Sequence, residues 1–273
     1  MTQTDPIIEL HPWLGTPPGR YLHEWEQLQL DRAVSDIFGF HALQLGLPEL
    51  DALRANRMPH RWVALDSAYA GLRTLPANQH RPSTCDPAQG LTETSLGLLC
   101  DFESLPFPSN SLDLVVLPHA LELARDPHET LREVERVLVP EGRVVIVGFN
   151  PASLWGLGHR LGRWGVKRST VLPQGEFIAY WRLRDWLRLL GLEVETGGFG
   201  CYRPALQSER MLERLAWMDN AGDRWWPVLG AVYFIVAVKR VKGMHLVGKI
   251  RRAKPARHPA SVVATNKNKD WIG

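Results

Sequence analysis

The chain has 273 residues, 45% of them apolar, and a formal net charge of +3. This is an ordinary composition for a soluble globular protein with one large domain or a domain with appendages. The longest apolar run, Val228 to Val238, is too short to span a bilayer, the N-terminus shows no signal-peptide pattern, and Cys85, Cys100 and Cys201 lack metal-ligand spacing, which points to free thiols in a reducing cytoplasm.

Residues 1–17 are a proline-containing lead-in. From Gly19 to Ile37, Leu22, Trp25, Leu28, Leu30 and Val34 recur near helical spacing, which predicts a helix packed across a sheet or capping a site. His41 to Gly46 reads as a first strand, Glu49 to Asn56 as a short helix, and Arg61 to Asp66 as a second strand. Residues 76–95 hold three prolines and a glycine and read as a long loop.

The stretch that organises the chain is 99–151. Leu96 to Cys100 is an apolar run ending on Asp101, and Leu112 to Leu117 is a second, stopped by Pro118. Asp126 is an N-cap, Pro127 occupies the first helical position, and Leu131, Val134, Val137 and Leu138 form one apolar stripe. Pro140-Glu141-Gly142 ends that helix, and Arg143 to Phe149 is a third apolar run. Val- and Leu-rich runs separated by a helix read as buried parallel strands, one β-α-β half of a doubly wound sheet. In such sheets ligands bind beyond the carboxyl ends of the strands. Asp101, Pro118-His119 and Asn150 fall at three of those ends.

Further on, residues 151–165 combine Trp155 and Trp164 with four glycines, and Arg160, Arg163, Lys167 and Arg168 surround them. This is either a packed surface excursion or an anion-binding lid. Trp181 to Leu190 and Glu209 to Met218 read as amphipathic helices, Glu193 to Phe199 and Ala231 to Lys239 as strands. Residues 241–273 carry eight Lys/Arg and one acid, a net of +7, leaving the first 240 residues with 24 basic and 28 acidic groups, a net of −4. The expected organisation is a helical cap over 1–38, a main domain over 39–241 and a basic, disordered tail over 242–273.

The segments Asp101-Phe-Glu-Ser-Leu-Pro-Phe, Ser111-Leu-Asp-Leu-Val-Val and Asp126-Pro, with Leu131-Arg-Glu-Val-Glu-Arg-Val-Leu-Val-Pro-Glu-Gly142, resemble the class I S-adenosylmethionine-dependent methyltransferases, most closely the type 11 branch. Gly148 to Gly156 looks like a glycine-poor bacterial subgroup. The resemblance is specific over 99–151 and weaker over 40–240. It implies an α/β Rossmann-like, doubly wound, seven-stranded sheet with the last strand antiparallel, and S-adenosylmethionine as cofactor. It also implies that Asp101 accepts from the adenine amine, that Phe102 covers the ring, and that the methionine part lies by Leu117 and Pro118. The family's Gly-x-Gly-x-Gly turn after the first strand is reduced to Gly46, followed by the bulkier Leu47-Pro48. Asp66, 20 residues after Gly46, is placed to bind ribose hydroxyls or simply to cap the following segment. His119 is either structural or a general base, and Asn150 is a candidate substrate contact. No metal cluster, nucleophile elbow or phosphate loop is present.

Three functions fit this sequence. The first is methylation of a small molecule. The second is methylation of nucleic acid such as RNA, with the basic tail on phosphates; aromatic residues are sparse there, Trp271 apart. The third is a methyltransferase-like binding protein without activity, suggested by the missing glycines. The acceptor is not legible in the chain.

Overall fold

The computed structural model describes residues 10, 13–66, 96–163 and 177–240. The long loop expected over 76–95, the residues of the lid beyond 163, and the basic tail lie outside these. The described elements are helix α1 (Pro17–Ser35), strands β1 (His41–Leu45), β2 (His60–Leu65), β3 (Leu96–Leu99) and β4 (Leu112–Pro118), helices α2 (Ala120–Leu123) and α3 (Pro127–Val137), strand β5 (Leu138–Phe149), helices α4 (Leu154–Arg163) and α5 (Tyr180–Leu189), strand β6 (Leu192–Gly200), helices α6 (Glu209–Arg214) and α7 (Trp217–Trp225), a 3₁₀ turn (Pro227–Leu229) and strand β7 (Val232–Lys239).

The strands form one sheet in the order β3-β2-β1-β4-β5-β7-β6. All pairs are parallel except those made by β7, which runs antiparallel between β5 and β6. The chain turns from one half of the sheet to the other between β1 and β4, which is where such sheets place their ligands.

Strand alternation sends the apolar side chains to two cores. Ala42, Leu114, Val116, Val145, Val147, Phe234 and Val236 meet Leu22, Leu30 and Val34 of α1 on one face. Leu43, Leu45, Val115, Leu117, Val144, Ile146 and Ile235 meet Leu131, Val134 and Val137 of α3 and Leu183 and Leu187 of α5 on the other. Helix α3 begins as its sequence dictates: the Asp126 carboxylate accepts from the backbone N–H of His128 at 2.8 Å and of Glu129 at 3.3 Å. Helix α1 is capped by Thr16, whose hydroxyl accepts from Gly19 N–H, and Pro17 and Pro18 occupy its first positions.

Three local expectations are corrected. The segment Glu49 to Asn56 is a series of turns and not a helix, its carbonyls taken up by Gln27, Gln44 and Arg61 from outside the segment. The amphipathic run Glu209 to Met218 breaks into two short helices at Leu215-Ala216. Within the segment read as a packed excursion or a lid, residues 154–163 form a helix. Strand β5 starts at Leu138, with a bulge against β4, so Pro140–Gly142 lies within it.

The turns after β1 are held by one buried side chain. The Gln44 amide donates to the carbonyls of Leu47 at 2.9 Å and Leu50 at 2.7 Å, with a longer contact to Gly46 at 3.2 Å. Its oxygen accepts from Ala52 N–H at 3.0 Å. The side chain thus supplies the hydrogen bonds that a helix would have made internally. Gln44→Leu keeps the volume and removes every one of these bonds. It should cost about 1–3 kcal/mol for each buried group left unsatisfied, read as a lower urea midpoint; an unchanged midpoint would show that the turns stand without Gln44.

Candidate functional site

At the carboxyl end of β1 the backbone enters the left-handed region twice, with φ +76° at Gly46 and 39° at Leu47. Leu47 is an L-residue in a strained conformation there. It is held because its side chain is buried in the core beneath α1. Gly46 is half-buried, and a Cβ on it would stand 3.8 Å from the Phe102 ring and 3.7 Å from Ala120. Those are ordinary contact distances, so the position calls for glycine through its positive φ and not through lack of room.

Asp66 and Asp101 follow β2 and β3, which are paired neighbours. Burial pushes the thiol of Cys100 up to about 11, and the charges of Asp101 and Asp66 add to that push. Both acids therefore act at one place on the sheet edge. Asp101 is exposed, and one of its oxygens accepts from Glu103 N–H at 3.1 Å, so it also braces its own turn. Phe102 is buried beside it.

The end of β4 is built differently. Leu117 and Pro118 are buried, Leu117 in the core under α3 and α5. His119 has φ 54°, and its N–H donates to Val147 O of β5 at 2.9 Å. Its ring is fully buried and bound on both sides. Nδ1 donates to Glu122 of α2 at 2.8 Å, and Nε2 donates to Glu26 of α1 at 2.7 Å. The Phe149 ring lies 4.3 Å from the imidazole, and Phe149 N–H donates to the second Glu122 oxygen. The second oxygen of Glu26 is buried and accepts no hydrogen bond. Burial by itself would lower the imidazolium, but the charges and hydrogen bonds of Glu26 and Glu122 overcome it and raise His119 to about 10. Burial raises Glu122 as well, against the attraction of His119. Near neutral pH His119 is thus a cation with no free nitrogen, an arrangement that locks elements together and does not accept a proton.

Asn150, after β5, is buried, and its amide donates to Val228 O at 2.7 Å and Gly230 O at 2.9 Å while its oxygen accepts from Ala152 N–H at 3.0 Å. Its side chain holds the chain before β7 to the end of β5. Sequence reasoning missed Glu26 and Gln44. Glu26 had a signal: Leu22, Glu26 and Leu30 share one helical stripe, so a carboxylate stands between two buried leucines. A cavity of about 410 Å³ opens at the opposite, amino edge, where Arg143 in its wall is paired with Glu195. It adjoins none of these residues. Among the described residues no group of three His, Cys, Asp or Glu is placed to hold a metal ion, and no helix is long and apolar enough to cross a membrane.

These residues fit S-adenosylmethionine on two observations. Two carboxylates stand at adjacent strand ends, where hydroxyls and an amine need acceptors. An orphaned, buried carboxylate oxygen stands by the end of β4, and the cofactor is a cation. The departure is at Leu47, whose side chain takes the place of a second glycine.

Comparison with known proteins agrees with this geometry. The family model described as a methyltransferase domain matches residues 52–146. Protein YafS of Escherichia coli (strain K12) is 37% identical over 231 residues, covering 84% of this chain and 80% of that one. The malonyl-[acyl-carrier protein] O-methyltransferase of Halorhodospira halophila is 42% identical over 65 residues, 23% of this chain and 21% of that one. A crystal structure of a SAM-dependent methyltransferase from Thermotoga maritima superposes with a TM-score of 0.54 at 16% identity, covering 86% of this chain and 96% of that one.

The histidine lock has a pH signature. Folded His119 binds its proton more tightly than an unfolded histidine at 6.5, so its contribution is complete below pH 6.5 and is lost as pH rises toward 10. Raising the pH from 6.5 to about 8, below the reference thiol value, should lower the melting temperature, and Glu26→Gln should shrink that slope. A flat profile for the wild type would refute a protonated His119.

Proposed function

The chain belongs to the class I S-adenosylmethionine-dependent methyltransferases, and we propose that it methylates a small organic molecule at the carboxyl edge of its sheet. The observation that carries this reading is the pair Asp66 and Asp101 on adjacent strand ends beside Gly46, next to the point where the sheet changes direction. Asp66 would accept from the ribose hydroxyls and Asp101 from the adenine amine. Phe102 would cover the ring, and the absent side chain of Gly46 would let the backbone approach. Leu117 and Pro118 would floor the methionine end from within the core.

When bound, S-adenosylmethionine supplies a methyl group on a sulfonium whose departing form is neutral. Transfer then depends on in-line positioning, and little acid–base help is needed. This suits His119. As an imidazolium between Glu26 and Glu122 it fixes the ends of β4 and β5 and the cover helix α1, and so shapes the place where donor and acceptor meet. A base role would require Glu26 to withdraw first. Asn150 serves in the same way, as a positioning residue for the rim.

A small acceptor is favoured over RNA by charge. The half of the edge over β1, β2 and β3, where the cofactor would sit, presents the carboxylates of Asp66 and Asp101, so a phosphate backbone would meet repulsion there. The Halorhodospira relative, a malonyl-[acyl-carrier protein] O-methyltransferase, points the same way.

Titration calorimetry tests the reading. The wild type should bind S-adenosylmethionine, and Asp101→Ala should lose about 1.5–3 kcal/mol, the worth of a charged hydrogen bond. Asp101→Asn keeps an oxygen for Glu103 N–H, so a comparable loss there isolates the contact with the ligand from the turn. No binding by the wild type would overturn the proposal, and wild-type affinity in both variants would remove Asp101 from the site.

A further inference from the structure

The acceptor half of the edge carries a surface that the core does not use. Between the end of β6 and the start of β7, residues 223–229 form an unbroken exposed run containing Trp225, Trp226, Pro227, Val228 and Leu229. Trp225 is 74% exposed and Leu229 is 47% exposed. Trp217 and Met211 on the two preceding helices are exposed as well, at 59% and 46%. A run of this kind is an error in a soluble fold unless something uses it.

The backbone beneath it is clamped. The Tyr202 hydroxyl donates to Pro227 O at 2.9 Å, and Asn150 donates to Val228 O and Gly230 O. A Cβ on Gly222 would stand 2.2 Å from the Tyr202 ring, so α7 is seated tightly while its tryptophans face outward. Helix α4, on the same edge, adds exposed Leu154 and Leu157.

Charge indicates what covers this face. Its acids Glu209 and Asp219 are neutralised within the fold by Arg20 and Arg203. The exposed charges left on residues 209–229 are Arg210, Arg214 and Arg224 against Glu213 and Asp223. Tryptophan with arginine at its margin is the composition of a surface seated in a lipid interface, where indole rings lie at headgroup level and arginines meet anionic lipid.

We propose that residues 209–229, with the start of α4, dock on an anionic membrane surface, so that the methyl acceptor is an amphiphile drawn from the lipid. The acceptor class rests on the methyltransferase reading; the docking itself does not. The sheet supports the arrangement: Val232 pairs with both Phe149 and Gly200, which puts the exposed run at the carboxyl edge, over β5, β7 and β6. The acids Asp66 and Asp101 occupy the other half of that edge.

The test is sedimentation of the full chain with vesicles of phosphatidylcholine alone and with phosphatidylglycerol added. Its variant is the double substitution Trp225→Glu and Trp226→Glu, at positions 74% and 38% exposed, with far-UV circular dichroism confirming that the variant folds. The wild type should bind the anionic vesicles with a blue shift of tryptophan emission, and the variant should bind roughly tenfold or more weakly. S-adenosylmethionine affinity should be the same in both. Absence of wild-type binding would overturn the proposal. Equal binding by the variant would do so too, since it would place the attraction in the basic tail. A concentration-dependent dimer that the variant abolishes would assign the face to a second copy, again against the proposal. Vesicle binding in a chain that fails to bind S-adenosylmethionine would keep the docking face and remove the reaction.

Discussion

Three separate parts of the chain meet on one buried imidazolium. Glu26 comes from the cover helix α1, Glu122 from the short α2, and the Phe149 N–H that anchors Glu122 from the end of β5. Buried ion pairs are weak evidence of stability, because desolvation cancels most of their attraction and well-packed apolar residues often do as well or better. What such a network supplies is geometry. An apolar contact between α1 and β4 would tolerate a shift along the helix, whereas two charged hydrogen bonds at 2.7 and 2.8 Å fix both the helix and the left-handed His119. Loss of either carboxylate leaves a buried charge without its partner, so the ends of β4 and β5 and the cover helix are ordered together.

The same economy explains how the sheet manages with one glycine after β1. A glycine-rich turn leading into a helix orders itself through helix hydrogen bonds. Here the turns of residues 46–59 have none to offer, and Gln44 reaches from within β1 to satisfy them. Leu47 then serves as an anchor in the core under α1, so its positive φ is tolerated. The strain at Leu47 and the lock at His119 lie on either side of the β1–β4 boundary. Both depend on α1, which packs over Leu47 and supplies Glu26.

How much of this the sequence shows follows from the range of the forces involved. The β-α-β unit over 99–151 is legible because its signals are local: the Asp126 cap, Pro127, a stripe at 131, 134 and 137, and Val-rich strands buried on both faces. The positions of Asp66 and Asp101 at strand ends are legible for the same reason. The helix predicted over 49–56 fails because its residues have adequate propensity but Gln27, Gln44 and Arg61, from outside the segment, bond its carbonyls and hold it in turns. The split at Leu215-Ala216 is likewise tertiary: Leu212 is the one large apolar residue that α6 buries, so no continuous apolar face holds the two helices in line. Glu26 is 93 residues from His119, and no periodicity reports a contact at that separation. Only the misplaced charge between Leu22 and Leu30 marks it.

The carboxyl edge is thereby divided by chemistry. Over β1, β2 and β3 it carries acids and a glycine, the groups that suit a polar, cationic nucleoside. Over β5, β7 and β6 it carries tryptophan, leucine and arginine on a clamped backbone. The boundary falls at His119, which is buried together with Glu26 and Glu122 between the two halves. On the reading proposed above, methyl transfer to an amphiphile would bring these two environments together without mixing them. A buried ion network that binds both nitrogens of one imidazole can stand between them at fixed geometry, because neither half can draw it away without leaving a charge unpaired in the core.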